Sequence, residues 1–323
     1  MSHFLTVTLN PALDKTYSLS SPLSVDALNR IPKPTVSAGG KSINSARMLK
    51  LLGGDVCALS FGGCDNGRDA FAGMAFEALL KAEGLCTVMG PAACGVRTNV
   101  KLISPGGEGT ELNESGGPVT ADEFAAFMDA YERGISDGCE CVLLGGSIPQ
   151  GVEKDVYNLM IKSAEKHGVR VALDCDGEVF RQAVSARPWL VKPNAYELSQ
   201  YYSTELSTIP QVLVCAKRFY VETGVNVLCT AGGKGAVYVG NDGEFVVSTP
   251  KITVRGFAGA GDCTLAAFVY EYGRSGVDSG VDVVSALKLA CGAGAAKTST
   301  AGTEMPSREL VYEMAALVDA AGV

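Results

Sequence analysis

Short apolar runs alternate along the chain with longer stretches whose apolar residues recur at helical spacing. Phe4-Leu5-Thr6-Val7-Thr8-Leu9 reads as a first strand, stopped by Asn10-Pro11. Further strands are expected at 55–61, 140–144, 169–173, 189–191 and 225–229, with two short ones in 236–248. Cys141-Val142-Leu143-Leu144 is apolar without interruption, the mark of a parallel strand buried on both faces. Helical spacing is expected from 37–44 to Leu52, then over 67–83, 120–136, 153–167, 208–222, 262–274, 280–298 and 307–321. Such alternation predicts a doubly wound α/β fold. It breaks at 97–103 and 110–113, two β-like runs around the turn signal Pro105-Gly106-Gly107. It breaks also in the polar, proline-dotted stretch 16–37, which contains Thr16-Tyr17-Ser18-Leu19. These segments predict a small β element outside the main sheet. With no repeat or long linker, the expectation is one domain over 1–323 with a β lid from 14–37 and 96–114.

Composition narrows the partners. The 323 residues are 47% hydrophobic, enough for a large core. Lys plus Arg is 27 against Asp plus Glu 35, a net charge of −8 with no basic run, so neither nucleic acid nor an anionic membrane is an expected partner. No signal peptide and no apolar span of membrane length is expected. Eleven cysteines without a C-x-x-C pair predict reduced thiols in a cytoplasmic protein and no structural zinc. Two histidines, His3 and His167, leave little for Ser-His or His-metal chemistry. His167, before Gly168, reads as a helix end.

The chemistry concentrates elsewhere. Gly259, Ala260 and Gly261 lead into Asp262 at the start of a helical pattern. Small residues and free N–H groups at a helix start suit an anion. A carboxylate there suits a base that takes a proton from a hydroxyl while the amides hold a phosphoryl group. The helix end is expected to keep Asp262 ionised. Those residues alone fit a glycine turn with Asp262 as N-cap equally well. Gly39-Gly40-Lys41-Ser42-Ile43-Asn44 opens a second helix and reads either as an anion or polyol site or as a plain helix start. It lacks the glycine spacing of a Walker A loop. Asp14, Ser147, Asp174, Asn194, Glu197 and Thr230 follow expected strands, so they should line one crevice. Together these placements favour phosphoryl transfer.

Thr8-Leu9-Asn10-Pro11-Ala12-Leu13-Asp14, Gly39-Gly40-Lys41-Ser42-Ile43-Asn44, Gly146-Ser147-Ile148-Pro149, Lys192-Pro193-Asn194-x-x-Glu197-Leu198 and Gly259-Ala260-Gly261-Asp262 carry a resemblance. In this order they resemble the ribokinase-like, or phosphofructokinase-B, sugar kinases, nearest the branch of 1-phosphofructokinases and tagatose-6-phosphate kinases. The resemblance implies an α/β/α sandwich with a β-sheet lid. It implies ATP and Mg²⁺, and a sugar phosphate as acceptor. Asp14, Gly39, Gly40, Lys41 and Asn44 match sugar-binding positions, and Ser147 joins them. Arg97 and Asn99 match a lid segment near the substrate phosphate, which Lys41 and Arg97 are expected to grip. Lys192, Asn194, Glu197, Thr230, Gly232 and Gly235 match the ATP side, with Glu197 reaching Mg²⁺ through water. Asp262 matches the base, and Gly259, Ala260 and Gly261 the anion hole. Ser42 departs from a usual glycine and is expected to crowd the sugar site. Gly256-Phe257 and Thr230-Ala231-Gly232-Gly233 depart on the ATP side. The implied activity is phosphorylation of fructose 1-phosphate to fructose 1,6-bisphosphate. Tagatose-6-phosphate kinase, a nucleoside kinase and a non-catalytic sugar-phosphate binder are the alternatives. A homodimer through the lid is the expected assembly.

Overall fold

A computed structural model describes residues 3–63, 70–106, 109–136, 138–274 and 282–323. The strands are β1 His3–Thr8, β2 Ala12–Ser18, β3 Thr35–Gly39, β4 Asp55–Gly63, β5 Cys86–Pro91, β6 Arg97–Ile103, β7 Gly109–Asn113, β8 Cys139–Gly145, β9 Arg170–Asp174, β10 Leu190–Val191, β11 Asn226–Thr230, β12 Ala236–Gly240, β13 Gly243–Val247 and β14 Ala320–Gly322. The helices are α1 Lys41–Leu52, α2 Ala70–Ala82, α3 Ala121–Ser136, α4 Val156–Lys166, α5 Gly177–Val184, α6 Ala195–Tyr202, α7 Ile209–Thr223, α8 Ala260–Arg274, α9 Val283–Thr298 and α10 Arg308–Ala316. The expected starts of the helices at 67 and 280 lie outside the described residues, as does Gly107 of the turn.

Ten strands form one sheet in the order β14-β13-β12-β11-β10-β9-β8-β1-β4-β5. From β11 to β5 every pairing is parallel, and β12, β13 and β14 add an antiparallel edge. The central strands are apolar because both faces are covered. Leu143 joins one core with residues of α1, α2, α8, α9 and α10. Its neighbours Val142 and Leu144 join a second core with residues of α3 to α7. The result is a three-layer α/β/α sandwich. Each fully buried Leu or Phe contributes roughly 1.5–3 kcal/mol by leaving water. On α3 the buried Phe127, Tyr131 and Ile135 repeat at helical spacing, which turns that face to the sheet.

A second sheet stands apart in the order β3-β2-β6-β7. It contains both segments where the alternation breaks. Asn10-Pro11 ends β1, and the chain swings out of the main sheet into β2. Asp14 therefore sits inside a strand of the small sheet, not at the end of the first main strand as expected. Its register partners are Ser37 of β3 and Asn99 of β6.

Other expectations need correction. The edge strand β5 alternates between exposed and half-buried residues, and Gly90-Pro91 cut its apolar run too short to stand out. The helices α5 and α6 are eight residues each, too short for a clear period. The final helix stops at Ala316, and the chain instead ends in β14, paired with β13 at Phe245 and Gly322. Ten cysteines are described; all are free thiols, and seven are buried. No helix among the described residues is long and apolar enough to cross a membrane.

Candidate active site

The parallel register brings Thr8 level with Gly145, and Gly145 level with Asp174. A cleft opens at this carboxyl edge. Asp174, the last residue of β9, is 5% exposed. Its Oδ1 receives the Lys41 ammonium and its Oδ2 the Lys192 ammonium, each at 3.1 Å. Burial pushes the Asp174 pKa up, but the two lysines outweigh it and hold the carboxyl below its ordinary value. Lys41 is the mirror case. Burial would strip its proton, but the charges of Asp174, Glu197 and Asp262 hold its pKa above the ordinary lysine value.

Asp262 lies in the first turn of α8. Its Oδ2 accepts from Asn44 Nδ2 at 2.8 Å, and its backbone oxygen accepts from Ser45 Oγ at 3.1 Å. It is 7% exposed. Burial pushes its pKa up to about 7, the Asp174 charge adds to the rise, and Asn44, Lys192 and Lys41 oppose it. The expectation that the helix end keeps it firmly ionised is thus corrected: loss of water outweighs the helix dipole. The N-cap reading is corrected too, because Asp262 is inside the helix and its side chain reaches across to α1. Gly259 makes that reach feasible. It has φ 78°, and a β-carbon there would lie 3.0 Å from Asn44 Nδ2. Lys192 is buried below the same turn, its Nζ 3.0 Å from where a β-carbon on Gly261 would sit.

The chain leaves β10 through Lys192-Pro193 into a capping box. The Asn194 side chain accepts from the Glu197 N–H at 2.8 Å, and Glu197 Oε2 accepts from the Asn194 N–H at 2.9 Å. Burial raises the Glu197 pKa, and the Asn194 N–H and the Lys192 charge oppose that. Asn194 bridges to Thr230 at the end of β11. Beyond it, a pocket of about 310 Å³ is lined by Asn194, Tyr196, Thr230 and Gly232. A second, of about 200 Å³, runs from Thr230, Gly232 and Gly235 to Phe257, Gly261 and Thr298. Ile252, Val254, Gly294 and Ala295 also line it and were not singled out from the sequence. The small-residue run Gly292-Ala293-Gly294-Ala295-Ala296 was the available signal for the α9 wall.

The small sheet reaches the site where β3 ends at Gly39, just before α1. Asp14 Oδ1 accepts from Asn99 Nδ2 at 2.9 Å, and burial raises the Asp14 pKa. Among the described residues, Asn99 Oδ1 is buried without a hydrogen-bond partner. Gly39 lies across from Asp14, and any β-carbon on it would collide with that carboxylate. Gly40 precedes α1 as a cap without a side chain. Arg97 gives Nη1 to the Glu114 oxygen at 2.7 Å and Nε to the Asn10 oxygen at 3.3 Å. Asn10 Nδ2 in turn donates to Ser147 Oγ at 3.2 Å. Ser42 does not crowd the cleft. It is 2% exposed, with its Oγ beside Gly145 at the end of β8.

A carboxylate that titrates near neutrality, beside two ammonium groups and a helix start, is equipped to take a proton next to a bound anion. The pattern of the pfkB family carbohydrate kinases matches residues 8–310. The chain belongs to this family. It is a sugar kinase, an enzyme that moves a phosphoryl group onto a sugar hydroxyl. The 1-phosphofructokinase of Rhodobacter capsulatus is 30% identical over 318 residues, 97% of this chain and 96% of that one. The 1-phosphofructokinase of Bacillus subtilis is 29% identical over 311 residues, 96% and 97% of the two chains. The crystal structure of phosphofructokinase-2 from Escherichia coli in complex with potassium is similar with a TM-score of 0.88, at 25% identity and over 98% and 99% of the chains. The small sheet and the three layers of the chain are those of this fold.

Proposed function

We propose that the chain transfers the γ-phosphoryl group of ATP to fructose 1-phosphate, giving fructose 1,6-bisphosphate, with Asp262 as the base. The observation that carries this reading is the buried Asp262 carboxyl, pushed up to about 7 beside Lys41 and Lys192. A base at that value is half ionised at neutral pH and accepts a hydroxyl proton efficiently. Fructose 1-phosphate is supported by the names of the Rhodobacter capsulatus and Bacillus subtilis relatives.

The sugar lies between the small sheet, acting as a lid, and the start of α1. The unpartnered Asn99 Oδ1 accepts from a sugar hydroxyl, and Asp14 takes another. Gly39 and Gly40 let the sugar approach the backbone, and Asn44 and Ser147 border it. Arg97 meets the phosphate already on the sugar, a contact suited to its planar fork. Lys41 moves from that phosphate to the transferred group, because its charged neighbours are Asp174, Glu197 and Asp262. The N–H groups of Gly259, Ala260 and Gly261 hold the same group. Thr230, Gly232 and Gly235 run along the nucleotide, with Lys192 and Asn194 at its phosphate end.

A bound Mg²⁺ would offset the charge of the phosphates, and Glu197 would stand nearest to hold it. The donor set fits it. Glu197 is a hard carboxylate whose Oε2 already serves the cap, and Asp174 is neutralised by two lysines. Glu197 would therefore hold a Mg²⁺ through water and not by a direct bond. The exposed Val36 and Leu112 of the small sheet support a homodimer through it.

A coupled assay of ADP release over fructose 1-phosphate, tagatose 6-phosphate and fructose tests the reading. Highest kcat/KM on fructose 1-phosphate is expected, with tagatose 6-phosphate second. Faster turnover of free fructose overturns the sugar-phosphate assignment. Binding of sugar phosphates without ADP release makes the chain a binder.

A further inference from the structure

Arg47 stands one turn along α1 from Asn44, on the same side of the helix. It is 8% exposed. Its Nε and Nη2 reach the two carboxylate oxygens of Glu83 at 2.6 and 2.8 Å, just after α2. Its Nη1 donates to Asn44 Oδ1 at 3.1 Å. Asn44 Nδ2 then donates to Asp262 Oδ2. The chain Glu83–Arg47–Asn44–Asp262 runs in one direction. A guanidinium only donates, so the amide oxygen faces it and the amino group faces Asp262.

We propose that Arg47 is a positioning residue: it fixes the Asn44 amide so that an N–H, never the amide oxygen, is presented to Asp262. Arg47 does not touch the reacting atoms and acts through Asn44. Its two-point grip on Glu83 keeps the guanidinium from following a turning amide. An unfixed amide turns with the proton, offering N–H to a carboxylate and oxygen to a carboxylic acid. A fixed amide serves only the carboxylate, so it favours the ionised base.

The other groups facing Asp262 are identified. They are Asp174 at the end of β9, Lys192 after β10, Lys41 on α1, Lys297 on α9 and the adjacent Cys263. Lys297 is held by Thr300 Oγ1 and the Gly302 oxygen, and Lys41 and Lys192 are held by Asp174. The Arg47 charge also acts on Lys297, Cys263 and Asp14, so Arg47→Lys, which keeps that charge, and Glu83→Gln, which keeps Arg47, separate the amide from the charge.

The inference rests on Asp262 being the base, and the experiment separates the two. kcat/KM on fructose 1-phosphate is measured across the acid limb for wild type, Arg47→Met, Arg47→Lys and Glu83→Gln, with Asp262→Asn alongside. Methionine keeps the aliphatic bulk and removes every donor. Its acid limb should move up by about one pH unit, so activity drops several-fold below the limb and recovers above it. Lysine, with one shorter donor, should move the limb less. Glu83→Gln, at a half-exposed position that leaves Arg47 in place, should move it a few tenths in the same direction. A loss that is equal at every pH, or an unmoved limb, overturns the proposal. If Arg47→Met does not fold, Glu83→Gln decides in the same terms. An Asp262→Asn enzyme with near-wild-type kcat sinks the base reading itself; a collapsed Asp262→Asn with an unmoved Arg47→Met limb sinks only the role of Arg47.

Discussion

Asp174 and Asp262 are two buried acids of one cleft, driven in opposite directions. Two ammonium groups at 3.1 Å hold the Asp174 pKa below its ordinary value, so it is an anion at neutral pH. That anion then helps burial push Asp262 up to about 7. Splitting a pair of carboxyls in this way is the pattern of a fixed charge beside a proton acceptor, the role proposed for Asp262.

The first prediction concerns pH. Activity should fall as pH drops through about 7, where Asp262 takes up its proton. Asp262→Asn should lower kcat by roughly 10²–10⁴, with little change in substrate binding. The stability effect has the opposite sense. Unfolded Asp262 loses its proton near 3.8, and folded Asp262 near 7. Between those values the folded chain holds more protons, so rising pH destabilises it. Asp262→Asn should therefore melt at a higher temperature than wild type above neutrality. The gap should close toward pH 3.8. Calorimetry across that range checks it, and a gap of constant size would argue against a raised pKa.

Asp174→Asn should remove the shared counter-ion of two lysines. Breaking a buried ion pair from one side costs about 3–5 kcal/mol. The Asp174 pKa is depressed in the fold, so its contribution is complete above the unfolded value of 3.8 and is lost as pH falls through the lower folded pKa. Urea unfolding at neutral pH measures the loss; a change below about 1 kcal/mol would place the lysine charges in water. The acid limb of activity should also move down, because a like charge beside Asp262 is gone.

The sandwich was legible because strands and helices alternate and Cys141-Val142-Leu143-Leu144 of β8 is apolar without interruption, a pattern that double coverage explains. The small sheet was legible as a failure of the βα rhythm. Asp262 and Asn44 were each legible as residues at glycine-rich helix starts. Their hydrogen bond across 218 positions was not, because pattern reasoning sees only neighbours. The pKa of Asp262 was misjudged for a related reason: a helix end shows in sequence, but burial is a tertiary quantity. Asp174 appeared as one polar strand end among several, and nothing local marks it as the clamp of Lys41 and Lys192. Arg47 reads locally as one more charge on α1, since Glu83 is 36 positions away.

Glu197 caps α6, and a pair of variants separates that from the proposed role near Mg²⁺. Glutamine also completes a capping box, so Glu197→Gln should keep the thermal stability of wild type within about 0.5 kcal/mol. It should raise the Mg²⁺ concentration needed for half-maximal rate, because a charge near the metal is lost. Glu197→Ala should lose the cap as well, about 1 kcal/mol. A Mg²⁺ titration unchanged in Glu197→Gln would leave Glu197 as a cap only.

Under the proposed function, Arg97 separates a free sugar from a sugar phosphate. Its guanidinium has five N–H groups, and Nε and one Nη1 donor hold backbone oxygens of Asn10 and Glu114. The Nη2 end is available for a phosphate. A charge-assisted contact of this kind contributes roughly 1.5–3 kcal/mol. Arg97→Ala should therefore cut kcat/KM on fructose 1-phosphate and tagatose 6-phosphate by about tenfold or more, since 1.4 kcal/mol is a factor of ten. Slow turnover of fructose should change little, because that sugar never made the contact. The two backbone bonds are the competing explanation, since they tie β6 to the segments before β2 and after β7. Arg97→Lys tests this: it keeps the charge but gives up the fork that spans Asn10 and Glu114. If the phosphate contact dominates, lysine should recover part of the loss on the two sugar phosphates. Equal losses on all three sugars in both variants would mean that Arg97 holds the small sheet in place and does not read the phosphate.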